Sequence, residues 1–207
     1  MAEFKETKPY RFAEFCDVHK KFGIPHFQRP YAWTNRNIQD LWDSIISNDK
    51  EYFIGNIVAV KSTNENFLFI VDGQQRLITI SLLLSAIRDS YVAIGAKIKR
   101  NKDKQMIAQQ EEYINRYLKD TDLQKVPKEE YKRLILGKPE YQKVYDYIVD
   151  GKIDALRKDT NIKKNDNLKR FINHLFNLGR RETARPALLQ SINPVFATSA
   201  DTKPCIH

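Results

Sequence analysis

One change of period constrains this chain more than any other feature. Phe67-Leu-Phe-Ile-Val71 is a continuous apolar run rich in β-branched and aromatic residues, and Asp72-Gly73 ends it. Beyond that pair, Leu77, Ile80, Leu84, Ile87, Tyr91 and Ile94 recur at helical spacing up to Gly95. A strand-like run that gives way to a helical stripe across Asp-Gly reads as strand, tight turn and helix. The run 52–60 reads as a second strand, and Ser62-Thr-Asn-Glu65 is short enough to join the two as a hairpin. Both runs are nearly unbroken in apolar character, so both faces are expected to be covered. The expected fold class is therefore α/β (α+β): a small mixed sheet flanked by helices at 35–47 and 74–95, followed by a helical lobe.

The remaining elements follow from punctuation. A short first helix is expected within 9–21, opened by Thr7 and Pro9, with Phe12, Phe15 and Cys16 on its apolar face. Gly23, Pro25 and Pro30 exclude a helix next, so 24–28 is expected to be extended and a loop to follow. Thr34 is placed to cap a helix with apolar residues at 38, 41, 42, 45 and 46. Further helices are expected at about 103–118, 128–136, 139–149 and 165–178. Tyr113, Tyr117, Tyr131, Tyr141, Tyr145 and Tyr147 fall among them and are expected to be core or half-buried. After Gly179 the periodicity is weak and three prolines follow, as in a loosely held tail or a truncated continuation. The expected division is an N-terminal lobe at 1–96, a basic helical lobe at 97–178 and the tail at 179–207.

Composition excludes several classes. With 42% apolar and 29% charged residues among 207, the chain is an ordinary globular one. It has no run of 18 apolar residues, and its N-terminus is polar, so neither a membrane partner nor a signal segment is expected and a cytoplasmic location is. Cys16 and Cys205 supply neither metal spacing nor a disulfide framework, and Cys16 reads as a small buried hydrophobe. The four histidines are scattered, with no zinc site and no His-centred nuclease motif. The net charge of +9 is uneven: residues 1–96 hold 11 basic and 11 acidic side chains, residues 97–207 hold 24 and 15. Lys97-Ile-Lys-Arg-Asn-Lys-Asp-Lys104 is the densest piece. It suits a polyanion such as DNA, and it equally suits a solvated linker between helices.

Two segments could carry chemistry. At the strand–helix junction, Gly73 permits a tight turn and close approach of a ligand to the backbone. Gln74, Gln75 and Arg76 occupy the first helical turn, where unpaired N–H groups and the dipole favour an anion. Arg76 adds a guanidinium fork suited to phosphate, and Asp72 could hold magnesium or a sugar hydroxyl. The competing reading is a capping box, Asp72 with Gln75, that fixes the helix start without any ligand. In the second segment, Gln28-Arg29-Pro30-Tyr31-Ala-Trp33, an amide, a guanidinium and two aromatics could grip a phosphate and stack a base. Alternatively Phe27, Tyr31 and Trp33 plug the sheet edge against the helix at 38–46.

Taken in order, Ile24-Pro-His-Phe-Gln-Arg-Pro-Tyr-Ala-Trp33, Tyr52-Phe-Ile-Gly55 and Val71-Asp-Gly-Gln-Gln-Arg-Leu-Ile-Thr79 resemble the N-terminal domain of GmrSD-type, modification-dependent restriction endonucleases. The resemblance covers about 10–95, with a weaker helical likeness to about 178. It implies a ParB/sulfiredoxin-like fold, binding and hydrolysis of a nucleoside triphosphate with magnesium, and recognition of modified DNA in phage defence. It maps the nucleotide-linked motif onto Asp72, Gly73, Gln74, Gln75 and Arg76. Asp72, Gln75 and Arg76 are the expected catalytic residues, and Asp72 is the expected metal ligand. Gln28, Arg29, Tyr31, Trp33, Gly73 and Gln74 are the expected nucleotide and phosphate contacts. Longer members carry a C-terminal HNH-type nuclease domain, whose motif this sequence lacks. A truncated, split-gene or degenerate member, with a nuclease domain or subunit as possible partner, is the corresponding expectation. The alternative role is a non-catalytic module that senses modified DNA or presents a partner nuclease.

Overall fold

The computed structural model describes residues 9–47, 52–62, 67–123 and 126–159. The expected helix at 165–178 and the tail lie outside these. Elements run α1 (Phe12–Val18), β1 (Lys21–Ile24), α2 (Asn35–Ile46), β2 (Val58–Lys61), β3 (Phe67–Asp72), α3 (Gln74–Gly95), α4 (Asn101–Leu118), β4 (Lys119–Asp122), β5 (Glu129–Lys132), β6 (Leu134–Leu136), α5 (Pro139–Val149) and α6 (Ile153–Lys158). The fold is α+β, with a four-stranded mixed sheet in the order β2-β3-β1-β6 and a separate β4-β5 pair.

The sheet is built on β1. It pairs in parallel with β3, Gly23 opposite Phe69, and in parallel with β6, Gly23 opposite Ile135. β2 is antiparallel to β3. Side chains alternate across the pleat. Phe22, Ile24, Leu68, Ile70, Leu134 and Leu136 face inward and are buried in one core with side chains of α3, α4, α5 and α6. Full burial of such a side chain stabilises the fold by about 1.5–3 kcal/mol. β6 comes from beyond residue 96, so the two expected lobes share one sheet and one core.

Several expectations are corrected. The extended segment is Lys21–Ile24, not 24–28. Pro25 has no N–H to give a ladder, and the chain turns there, with Gln28 N–H donating to the Pro25 carbonyl at 3.1 Å. The run 52–60 becomes strand only from Val58, because Gly55 takes φ +99° and bends the chain. The sheet is not covered on both faces by the described residues. Val60 and Phe69 are 49% and 41% exposed, because the helices of the shared core pack on the opposite side. The expected helix 128–136 is instead β5 and β6. Leu134 and Leu136 are buried while Ile135 is exposed, an alternation of period two that serves the edge of β1.

α3 is buried on more than its predicted stripe, Ile78, Leu82 and Leu83 included. By length and composition it could cross a membrane, but 67% of its most apolar window is buried within the protein, as in a core helix. Two of its buried polar residues, Ser81 and Arg88, are paired inside: Ser81 Oγ lies 2.6 Å from Tyr145 Oη. Arg88 donates to the Val149 carbonyl and, at 3.0 Å, to that of Ile148, completing the C-terminus of α5. A second buried guanidinium, Arg133, donates to the Arg116 and Cys16 carbonyls and to Asp120, fastening α1 and α4 to the β4-β5 pair. Cys16 is buried as expected, and burial pushes its thiol up to about 12. Tyr117, Tyr141 and Tyr145 are in the core and Tyr113, Tyr131 and Tyr147 half-buried, as helical spacing anticipated for most of them.

Candidate functional site

Because β1 and β3 are parallel neighbours, their carboxyl ends emerge on one edge, where open α/β sheets take ligands. The segment 25–33 leaves β1 there and α3 leaves β3 there. Gly73 makes the turn with φ +87°, a left-handed conformation that an L side chain adopts only with strain. A Cβ on it would also stand 3.0 Å from the Asn56 carbonyl oxygen. α3 starts with no side-chain cap. The N–H groups of its first turn, on Gln74, Gln75 and Arg76, therefore lie ahead of any intrahelical acceptor, at the positive end of a 22-residue helix.

The capping-box reading is corrected. Gly73 takes the cap position, which leaves Asp72 as the last residue of β3, one place too early to cap. Gln75 is buried and turned to the loop: its Oε1 accepts from Ala32 N–H at 2.7 Å and its Nε2 donates to the Pro30 carbonyl at 3.1 Å. Tyr31 adds a second tie. Thr79 Oγ1 donates to the Gln75 carbonyl at 2.8 Å, so the Tyr31 hydroxyl, 2.8 Å from Thr79 Oγ1, is the donor to it. Burial pushes the Tyr31 phenol up to about 12, with the Thr79 bond pulling the other way, so it is neutral at physiological pH.

Gln28 and Gln74 form an amide relay whose direction is fixed. The Val71 carbonyl can only accept, so Gln28 turns its Nε2 toward it, at 3.0 Å. The Gln28 Oε1 then accepts from Gln74 Nε2 at 3.2 Å. This leaves Gln74 Oε1 buried with no hydrogen-bond partner among the described residues. A buried acceptor in that condition costs roughly 1–3 kcal/mol.

The segment 52–57 closes the other side. Arg76 Nη1 donates to the Asn56 carbonyl at 2.8 Å, and the guanidinium lies against Gly55, where a Cβ would stand 2.7 Å from Nη1. Gly55, Asn56 and Thr79 had been given no role from the sequence. A glycine inside an apolar run is the one signal that pointed to close approach at 55. Arg29 is exposed, and neither its side chain nor that of Asp72 has a hydrogen bond or ion pair among the described residues. Trp33 is half-buried and Phe27 exposed, so of the three aromatics expected to plug the sheet edge, Phe27 does not. The structure thus gathers Gln28, Tyr31, Gly73, Gln74, Gln75 and Arg76 around the start of α3. Arg29 and Trp33 ride on the same loop with no hydrogen bond to that helix among the described residues. No set of three acidic, histidine or cysteine side chains that could hold a metal occurs among the described residues. Asp72 offers a single carboxylate, which fits magnesium carried on a phosphate chain, where water and phosphate oxygens fill most of the coordination shell.

Among curated proteins no relative matches the chain. A family model described as the GmrSD restriction endonuclease N-terminal domain matches residues 12–201. That span is most of the 207 residues, and the chain accordingly belongs to the GmrSD N-terminal domain family, with its role in a restriction system.

Proposed function

We propose that this chain binds and hydrolyses a nucleoside triphosphate within a restriction system that acts on modified phage DNA, with the phosphates seated at the start of α3. The observation that supports this reading best is the left-handed Gly73 opening an uncapped helix beside a half-buried Arg76 guanidinium. Backbone N–H groups and a fixed positive charge on one helical turn suit phosphate oxygens. The buried Gln74 Oε1 on the same turn, without a partner among the described residues, is a second observation that supports completion of the site by a ligand.

In this reading the Gly73 and Gln74 amides and Arg76 hold the terminal phosphates and stabilise charge that develops during transfer. Asp72 orients the magnesium ion, which supplies neutralisation of that charge when bound. Gln75 acts through the 30–32 loop that it holds, and Arg29 reaches the phosphates from solvent. Isothermal titration of wild type and Arg76→Ala with ATP, GTP and CTP, together with phosphate release in magnesium, tests the reading. Loss of binding in the variant is expected; equal binding by both proteins refutes the clamp.

A second reading is supported by the exposed basic run. Lys97, Lys99, Arg100, Lys102 and Lys104 are all exposed, and among the described residues their one ion pair is a loose Arg100–Asp103 contact of 4.0 Å. A module that reads DNA, or that presents a nuclease partner to it, uses this surface without turnover. Steep loss of DNA affinity with salt and no phosphate release would favour it.

A further inference from the structure

We propose that Phe27 and Phe53 form the two walls of a slot for the nucleobase, an inference that rests on the nucleotide reading above. Each ring is 74% exposed, more than any other phenylalanine among the described residues. The aromatics first expected to serve are otherwise engaged: the Tyr31 hydroxyl is held by Thr79 and Trp33 is half-buried. Among the described residues the only ring that Phe27 meets is His26, edge-on at 5.7 Å between ring centres.

Both phenylalanines stand on loops anchored to the first turn of α3. Phe27 immediately precedes Gln28, which is bonded to Val71 and Gln74. Phe53 lies just before Gly55 and Asn56, which seat Arg76. The two loops root on opposite sides of β3, one following β1 and the other leading into β2. Neighbouring strands are about 4.8 Å apart, so the roots are about 10 Å apart across the end of β3. A large apolar ring left in water gains nothing from folding, whereas a base stacked on it removes both faces from solvent. The buried Gln74 side-chain carbonyl on the same turn lacks a donor among the described residues. A nucleoside carries N–H and O–H donors; an inorganic phosphate chain carries none of comparable kind.

The test is isothermal titration of the full chain with ATP, GTP, CTP and inorganic tripolyphosphate in magnesium, using wild type, Phe27→Ala and Phe53→Ala. Both side chains are exposed, and an unchanged melting temperature confirms that the variants fold. Each variant is expected to bind nucleotide roughly tenfold more weakly while binding tripolyphosphate as wild type does. Unchanged nucleotide affinity in either variant overturns the slot and leaves the phosphate clamp standing. So does a wild type that binds tripolyphosphate as tightly as any nucleotide. Absence of binding by wild type to all four probes overturns the nucleotide reading and the slot with it.

Discussion

Replacing Gln75 with methionine separates a residue that holds a loop from one that does chemistry. The side chain is 4% exposed, and its amide joins α3 to the loop through Ala32 N–H at 2.7 Å and the Pro30 carbonyl at 3.1 Å. Methionine keeps the length and apolar body of glutamine and removes both bonds. Each is worth about 1 kcal/mol net, and partners left part-buried without water add to the loss, so about 2–3 kcal/mol is expected. In a chain of this size, 1 kcal/mol moves the melting temperature by about 2–4 °C. Gln75→Met should therefore melt roughly 4–12 °C below wild type, as followed by circular dichroism. Tyr31→Phe removes the neighbouring tie to Thr79, and the two substitutions should be non-additive, because they release the same loop. A Gln75→Met protein that melts within about 2 °C of wild type yet no longer releases phosphate would refute the argument. It would make Gln75 a catalytic residue whose loop bonds are incidental.

Gly55→Ala should weaken triphosphate binding about as far as Arg76→Ala does, since the new Cβ would displace the guanidinium and must accept φ +99°. A stability loss of roughly 1–3 kcal/mol in urea unfolding should accompany it; binding equal to wild type would break the link between Gly55 and Arg76. Asp150 gives a pH prediction. Burial alone would raise its pKa, but Lys119 at 3.0 Å and Lys132 at 3.3 Å outweigh it and hold the carboxyl below its ordinary value of 3.8. Its contribution is thus present above the unfolded pKa and is lost as pH falls through the lower, folded one. Asp150→Asn should be less stable than wild type at neutral pH, and the difference should shrink below about pH 4; a gap that stays constant down to pH 2 would exclude the ion pairs as its source.

What could be read in the sequence was whatever depended on local pattern. The run ending at Asp72, the turn at Gly73 and the helix to Gly95 were legible because each announces itself within a few residues. The strand Leu134–Leu136 was not, since Tyr131-Lys-Arg-Leu-Ile-Leu136 is too short to show its period and becomes a strand by pairing with β1, more than a hundred residues away. The same holds in the site. Arg76, Gly73 and Gln28 are singled out by residue type, but for Gln75 the sequence offers only a catalytic role or a local cap, because only local partners can be weighed. Its real partners, Pro30 and Ala32, are more than forty positions upstream.

The amide relay shows how such long-range bonds turn a plain helix start into a directed one. Had Gln28 been free to flip, Gln74 could have exchanged its two ends and satisfied whichever was buried. The Val71 carbonyl removes that freedom, because an acceptor at the end of β3 dictates the orientation of Gln28 and, through it, of Gln74. Strand, loop and helix are thereby made to agree on one arrangement, and that arrangement leaves an acceptor buried and unpaired among the described residues. An apolar residue at 74 would have avoided the penalty of roughly 1–3 kcal/mol. In the proposed reading the bound nucleotide supplies the missing donor, and the relay and the uncapped helix start then belong to one site rather than being two local accidents.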